Sequence, residues 1–328
     1  MAAALSARKI GTRAALSAFM SRKGVITMQE WTADSLFARA TYFIECANAI
    51  DKLPDLKSLL YVLSLEPLAK SALAAKHPSL VADPESPIHL YYALGLATPP
   101  NPRSIVAKTV FLRCKDLIDD FTDEIMKLAN KLTQYRNQEL HSGGDPFANA
   151  PLSTWINEYY RIAKPLLASL AKDFSDLLGE EEGELAITIL KELDTDRAND
   201  AKKKLAAARK KAARLTKEQR EQTSPADVTI YRAGGTTHKC PACGENAILY
   251  RDKIRESNVR AEDNEIRGLT LYRPKSLKCQ VCGLQLEGPI QLKEAGIDTP
   301  ITEEWICDPA EYYNLVSADD YDDEYMNE

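Results

Sequence analysis

The chain of 328 residues has neither a long hydrophobic run nor an apolar leader. No apolar stretch approaches the roughly 18 residues that a membrane-spanning helix requires, so we expect no membrane partner. The N-terminus also lacks the continuous apolar segment of a secretory signal. Cysteine occurs seven times, an odd number, and four of these residues form two C-x-x-C pairs. This usage is typical of a reducing compartment without disulfides, and it predicts a cytoplasmic protein.

Acidic residues are absent from residues 1–29, where every charged side chain is Lys or Arg. We interpret this stretch as a basic N-terminal arm, although an organelle transit peptide or a natural start at Met28 fits the same composition. Residues 311–328 have the opposite bias, and they are predicted to form a disordered acidic tail. A sharper hypothesis is that the tail covers a basic surface of the same protein.

Apolar residues recur at helical spacing through most of the first half of the chain. Residues 104–141 contain neither Gly nor Pro and are predicted to form one long helix, which ends at Gly143-Gly144. No alternating strand pattern precedes residue 227. The sequence therefore predicts a mainly α protein with an antiparallel helical bundle over residues 30–182.

Residues 183–226 are helical in composition and rich in Lys and Arg. From Ala201 onward the apolar positions are mostly alanine, a face too shallow to bury much surface, so we expect a solvated basic connecting helix. No aromatic residues interleave the basic run, so base stacking is not indicated there. Its cations are candidate contacts for nucleic-acid phosphates, namely Lys202, Lys203, Lys204, Arg209, Lys210, Lys211 and Arg214.

Two C-x-x-C-G motifs lie within residues 227–310, where short β-like segments replace the helical pattern. The motifs supply four thiolates, which fill a tetrahedral Zn²⁺ shell and leave no open position for water. The sequence therefore predicts a structural zinc site in a small β zinc-ribbon domain, with a redox role as the less favoured alternative. The 35 residues 244–278 between the motifs are long enough for a hairpin or two. The expected ligands are Cys240, Cys243, Cys279 and Cys282.

The segment 133–144 carries the strongest sign of catalysis. It places Arg136, Asn137 and His141 within six residues at the end of a predicted helix. An arginine can hold a phosphate, and a histidine can transfer a proton near neutral pH. These groups are sufficient to cut RNA through its own ribose 2′-hydroxyl, and we expect no catalytic metal. The alternative is a helix end at which the two cations stabilise exposed carbonyls.

This Arg-Asn-x-x-x-His pattern resembles the HEPN superfamily, whose members are small helical bundles with an Arg-x4-His type of motif. The resemblance implies a metal-independent ribonuclease of the kind found in toxin and anti-phage systems, and a homodimer in which two motifs form one site. It implies that His141 exchanges a proton with the ribose or the leaving oxygen, and that Arg136 offsets charge on the phosphorane. Asn137 would donate to a phosphate oxygen or hold the imidazole.

The helical spacing of the motif supports this assignment only in part. At about 100° per residue, Asn137 and His141 share one face of the helix, whereas Arg136 lies about 140° from His141. The arginine and the histidine must therefore meet across a two-fold axis, unless the last turn bends. Glu45, on an early helix, is a possible acidic partner, and its alternative role is a boundary salt bridge.

Two functions remain open at this point. The first is an endoribonuclease whose basic helix and zinc ribbon recruit RNA or a regulatory protein. The second is a non-catalytic dimeric helical scaffold whose zinc ribbon binds a protein or a nucleic acid.

Overall fold

The computed structural model describes residues 30–50 and 52–314. The predicted basic arm over 1–29 and residues 315–328 of the predicted acidic tail lie outside the described residues. The chain divides after Ala186 into two compact units. Among the described residues, no helix is long and apolar enough to cross a membrane.

The first unit is helical. Its elements are α1 (Ala33–Asn48), α2 (Pro54–Lys76), a 3-10 turn (Pro78–Val81), α3 (Pro87–Ala93), α4 (Ala107–Leu117), α5 (Asp123–His141), α6 (Pro146–Asn149), α7 (Leu152–Ser169), α8 (Phe174–Leu178) and the first residues of α9 (Glu180–Ala213).

The predicted single helix over 104–141 is wrong, because the structure divides it into α4 and α5. Asp120 adopts a positive φ of 31°, and Phe121 turns into the core to stack on Phe111 with 6.3 Å between ring centroids. The Thr122 hydroxyl then accepts a hydrogen bond from the Ile125 N–H, which caps a new helix. Helix α5 therefore begins less than four turns before Arg136, the first residue of the motif that it carries.

Helix α2 is fixed by a buried polar contact as well as by apolar packing. The Ser64 Oγ lies 2.7 Å from the Tyr159 hydroxyl of α7, and the Tyr159 ring meets Tyr61 edge to face. All three side chains are buried, so the hydroxyl groups need these partners. The contact sets the position of α2, and Glu66 follows half a turn later.

The second unit contains an antiparallel sheet. Its strands are β1 (Thr236–Lys239), β2 (Asn246–Glu262), β3 (Glu265–Lys278), β4 (Gln285–Glu287) and β5 (Ile301–Cys307). The strands pair in the order β1-β2-β3-β4, and β5 pairs with the other end of β3. Its helices, apart from α9, are α10 (Lys217–Thr223), α11 (Asp227–Arg232), α12 (Gly288–Glu294) and α13 (Pro309–Tyr312).

The prediction of a mainly α protein with a small β domain is wrong. Helices account for 58% of the described residues, but a five-stranded antiparallel sheet accounts for a further 17%. Most of that sheet is one long hairpin of β2 and β3, which turns at Asp263 and Asn264, both with positive φ. The distal part of β2 is exposed on both faces, so the sequence lacks the apolar alternation that identifies a half-buried strand.

The prediction of a solvated connecting helix is also wrong for the second half of α9. Ala201, Leu205, Ala208 and Ala212 are buried in one core cluster with strands of the sheet. Alanine side chains are short, so the helix axis can approach the sheet closely and still exclude water. A shallow face is thus compatible with tight packing.

Gly268 marks a close approach between two strands of the sheet. A Cβ atom added there would lie 2.5 Å from Cζ2 of Trp305, on the neighbouring strand β5. We expect Gly268→Ala to displace the indole and to lower the free energy of unfolding by about 1–3 kcal/mol, the usual cost of overpacking. Urea unfolding followed by tryptophan fluorescence measures this loss. Gly143→Ala is the control, since no atom lies within 4 Å of its added Cβ; equal losses in both variants would refute the packing argument.

Candidate functional site

Arg136 is held by a carboxylate on another helix. Its Nη1 lies 3.5 Å from Oε2 of Glu66, and the two side chains are only 20% and 24% exposed. The other carboxylate oxygen of Glu66 accepts a hydrogen bond of 2.7 Å from Nζ of Lys70, which also donates to Ser104 at 2.9 Å. One carboxylate therefore bridges two cations, and the cluster keeps a net positive charge in a half-buried position.

Asn137 and His141 lie elsewhere on the helix. Both are exposed, and their spacing of four residues places them on one face of the last turns of α5. The helix ends directly after His141, where the Ser142 N–H still donates to the Gln138 carbonyl. Within one chain, the structure thus brings Asn137 and His141 to a common face and directs Arg136 to Glu66.

Glu45 is exposed on α1, and the carboxylate that contacts Arg136 is that of Glu66. Neither Glu66 nor Lys70 was predicted from the sequence to be a site residue. A signal was present, because this glutamate and this lysine, four residues apart, interrupt an otherwise apolar helix. Charged residues on a buried face need partners, and those partners are candidate site residues.

Glu139 lies between the exposed motif residues on α5. Its Oε2 is shielded from solvent and has no hydrogen-bond partner among the described residues. Partial burial, with smaller contributions from Asp145 and Asp55, raises the pKa of this carboxyl above its usual value. We therefore do not regard Glu139 as a simple solvated carboxylate.

The four cysteines of the C-x-x-C motifs converge on one point. Their sulfur atoms all lie within 4.8 Å of one another, and the Cys240–Cys282 and Cys243–Cys279 Sγ pairs are each separated by 3.6 Å. Four ligands at the Zn–S distance of about 2.3 Å lie about 3.8 Å apart in a regular tetrahedron. The cluster could therefore hold a metal ion, and its dimensions fit zinc.

The two motifs form matching knuckles. Gly244 and Gly283 adopt φ values of 79° and 76°, and their N–H groups donate to the carbonyls of Cys240 and Cys279. A residue with a side chain would be strained at this φ, which explains the glycine after each pair. His238 is half-buried on β1, outside the group of potential ligands, and its Nδ1 lies 2.8 Å from the Lys239 carbonyl.

The pKa values of the clustered thiols differ from one another. Hydrogen bonding with Cys240 lowers the pKa of the Cys279 thiol to about 5, and the same contact raises the pKa of Cys240. Burial raises the pKa of the Cys282 thiol to about 12. Because thiolates repel one another, a bound divalent cation is what permits all four to ionise together.

The predicted phosphate contacts line α9. Lys202 and Lys204 form ion pairs of 3.4 Å with Glu294 and 2.8 Å with Asp200. Their positive charges are therefore partly offset. The other cations of the set are exposed, namely Lys203, Arg209, Lys210, Lys211 and Arg214.

No protein-family model, no curated protein and no solved structure matches this chain. The resemblance to the HEPN superfamily consequently depends on the Arg136–His141 segment alone, and any function must be argued from the chemistry of the sites.

Removal of the metal is expected to unfold the knuckle end of the sheet, because zinc binding to small β modules supplies about 10–16 kcal/mol of folding free energy. Metal analysis should find one zinc ion per chain, and Cys279→Ser should lose it along with the far-UV signal of the sheet. Cys307→Ser is the matched control from the same unit, since Cys307 lies outside the ligand group. Retention of stoichiometric zinc by Cys279→Ser would contradict the assignment.

Proposed function

We propose that this protein is a metal-independent endoribonuclease that works as a homodimer, with a structural zinc ion in its second unit. The observation that carries the proposal is the pairing of an exposed imidazole, His141, with an exposed carboxamide, Asn137, on the last turns of α5. A histidine at such a position is accessible to a large substrate and can exchange protons near neutral pH.

The proposed reaction is an internal transesterification. One imidazole takes the proton of the ribose 2′-hydroxyl, and the freed oxygen attacks the phosphorus. The bond to the 5′ oxygen breaks, that oxygen takes a proton from water, and the imidazolium returns its proton to the solvent. The products are a 2′,3′-cyclic phosphate and a 5′-hydroxyl. Arg136 stabilises the charge that develops on the phosphorane, and Asn137 donates to a phosphate oxygen.

Glu66 and Lys70 act on this site through Arg136. Glu66 restricts the guanidinium to one rotamer and so lowers the entropy lost when a phosphate binds. Lys70 competes for the same carboxylate, which leaves the guanidinium donors free for a second acceptor. The arginine reaches the His141 of a second copy across a two-fold axis, because the two residues diverge on one helix.

RNA is recruited by the exposed cations of α9 through its phosphates. The zinc knuckles next to this helix offer a rigid surface for RNA or for a regulatory protein. A cytoplasmic setting, in toxin or anti-phage systems, is consistent with the free thiols.

A second candidate is a non-catalytic dimeric scaffold that binds a partner through its metal-containing unit. The ion pair between Arg136 and Glu66 favours it, since a guanidinium engaged by a carboxylate is an ordinary structural contact. Both candidates retain the metal site, so an assay of RNA cleavage separates them.

Labelled RNA incubated with purified protein and a chelator should be cut to products with cyclic phosphate ends. His141→Ala and Arg136→Ala should each lower the rate by about 10²–10⁴, the usual contribution of a proton-transfer or charge-stabilising group. His238→Ala, which removes a half-buried histidine of the other unit, should keep the wild-type rate. Intact RNA with every preparation, or equal activity in all variants, would favour the scaffold.

Recruitment by α9 is tested separately through the salt dependence of RNA binding. Replacing Arg209, Lys210 and Arg214 by Gln should make the slope of log affinity against log salt less steep by about two. The reason is that each phosphate contact on single-stranded RNA contributes about 0.7 to the steepness. Lys202→Gln, whose charge is paired with Glu294, should change the slope much less. An unchanged slope in the triple variant would exclude this helix as the phosphate contact.

A further inference from the structure

Helix α9 packs directly on the metal-binding cysteines. The buried cluster that contains Ala208 and Ala212 also contains Cys240, Cys279 and Cys282. The helix is also held at an earlier position in the chain by Gln291 of α12. The Gln291 side-chain amide donates to Asp200 at 2.9 Å, and its oxygen accepts from Nζ of Lys204 at 3.3 Å. The helix therefore runs from α12 to the second knuckle.

Lys211 brings a positive charge to that knuckle. Its Nζ lies 3.0 Å from the position that a Cβ atom of Gly283 would occupy. Gly283 directly follows Cys282, so the ammonium lies beside the knuckle that carries this potential metal ligand. A side chain at position 283 would displace the ammonium, and its backbone would be strained by the positive φ of 76°.

The charge balance of the site gives this contact a role. Four thiolates around one divalent cation leave an excess of two negative charges, which must be offset by nearby dipoles or cations in a partly buried site. The Ala242 N–H, 3.5 Å from the Cys240 Sγ, supplies one such dipole. Outer groups of this kind tune metal affinity although they do not touch the metal.

We propose that Lys211 is a positioning residue of the metal site, which offsets the charge of the metal-bound thiolates and so couples metal binding to the docking of residues 201–213 of α9. The inference rests on the proposed zinc binding. Since coupling between two equilibria is reciprocal, metal stabilises the docked helix and the docked helix raises metal affinity. The exposed cations of α9 are then held in a fixed array only while the site contains metal.

The test uses the full chain and measures zinc affinity by competition with a chelating dye. Lys211→Gln is expected to weaken zinc binding about tenfold, the lower end of the effect of removing an outer-shell partner. Lys210→Gln removes the same charge from the adjacent exposed residue and should leave the affinity at the wild-type level, as should Lys211→Arg, which keeps the charge. Hydrogen exchange of amides 201–213 supplies a second readout.

Zinc-bound Lys211→Gln should exchange these amides faster than zinc-bound wild type, and the two proteins should exchange alike after metal removal. Equal zinc affinities for Lys211→Gln and wild type, or equal losses in the Lys210 and Lys211 variants, would overturn the coupling while leaving the metal site intact. A wild-type chain that takes up no zinc would overturn both the coupling and the metal assignment beneath it.

Discussion

The convergence of four sulfur atoms within 4.8 Å is the constraint on which the second unit depends. Each C-x-x-C pair sits at a strand end, so bringing the pairs together fixes the register of the sheet and closes a long hairpin. The distal part of β2 is exposed on both faces and contributes little apolar burial. A metal ion bound by the four cysteines, together with the alanine face of α9, would supply the stability that a larger core would otherwise provide.

The first unit depends on a different interaction, in which one carboxylate, Glu66, orients two cations from the half-buried side of the helices. This contact determines what Arg136 can do. It directs the guanidinium to Glu66, and in the proposed function a complete site then requires the His141 of a second copy. The same ion pair would suffice for a purely structural role. The fold is therefore compatible with both functions, and only a measurement of RNA cleavage decides between them.

The sequence predicted some of these features for physical reasons. The metal ligands follow from local spacing, since two C-x-x-C-G motifs specify both the chelate turn and the glycine that permits it. The extent of the sheet does not follow from local spacing, because strands that are exposed on both faces lack apolar alternation. The pairing of Glu66 with Arg136 joins residues 70 positions apart, which no local pattern encodes. The packing of α9 was missed because alanine buries little area per residue, although it allows close approach.

The central claim is that Arg136 of one copy and His141 of another complete a single site. The most direct measurement is the RNA cleavage rate of an equimolar, re-equilibrated mixture of Arg136→Ala and His141→Ala proteins. Half of the randomly formed dimers are mixed, and each mixed dimer has one intact site, so the mixture should recover about a quarter of the wild-type rate. If the mixture is as inactive as either variant alone, the two residues do not act across the dimer and the account is wrong.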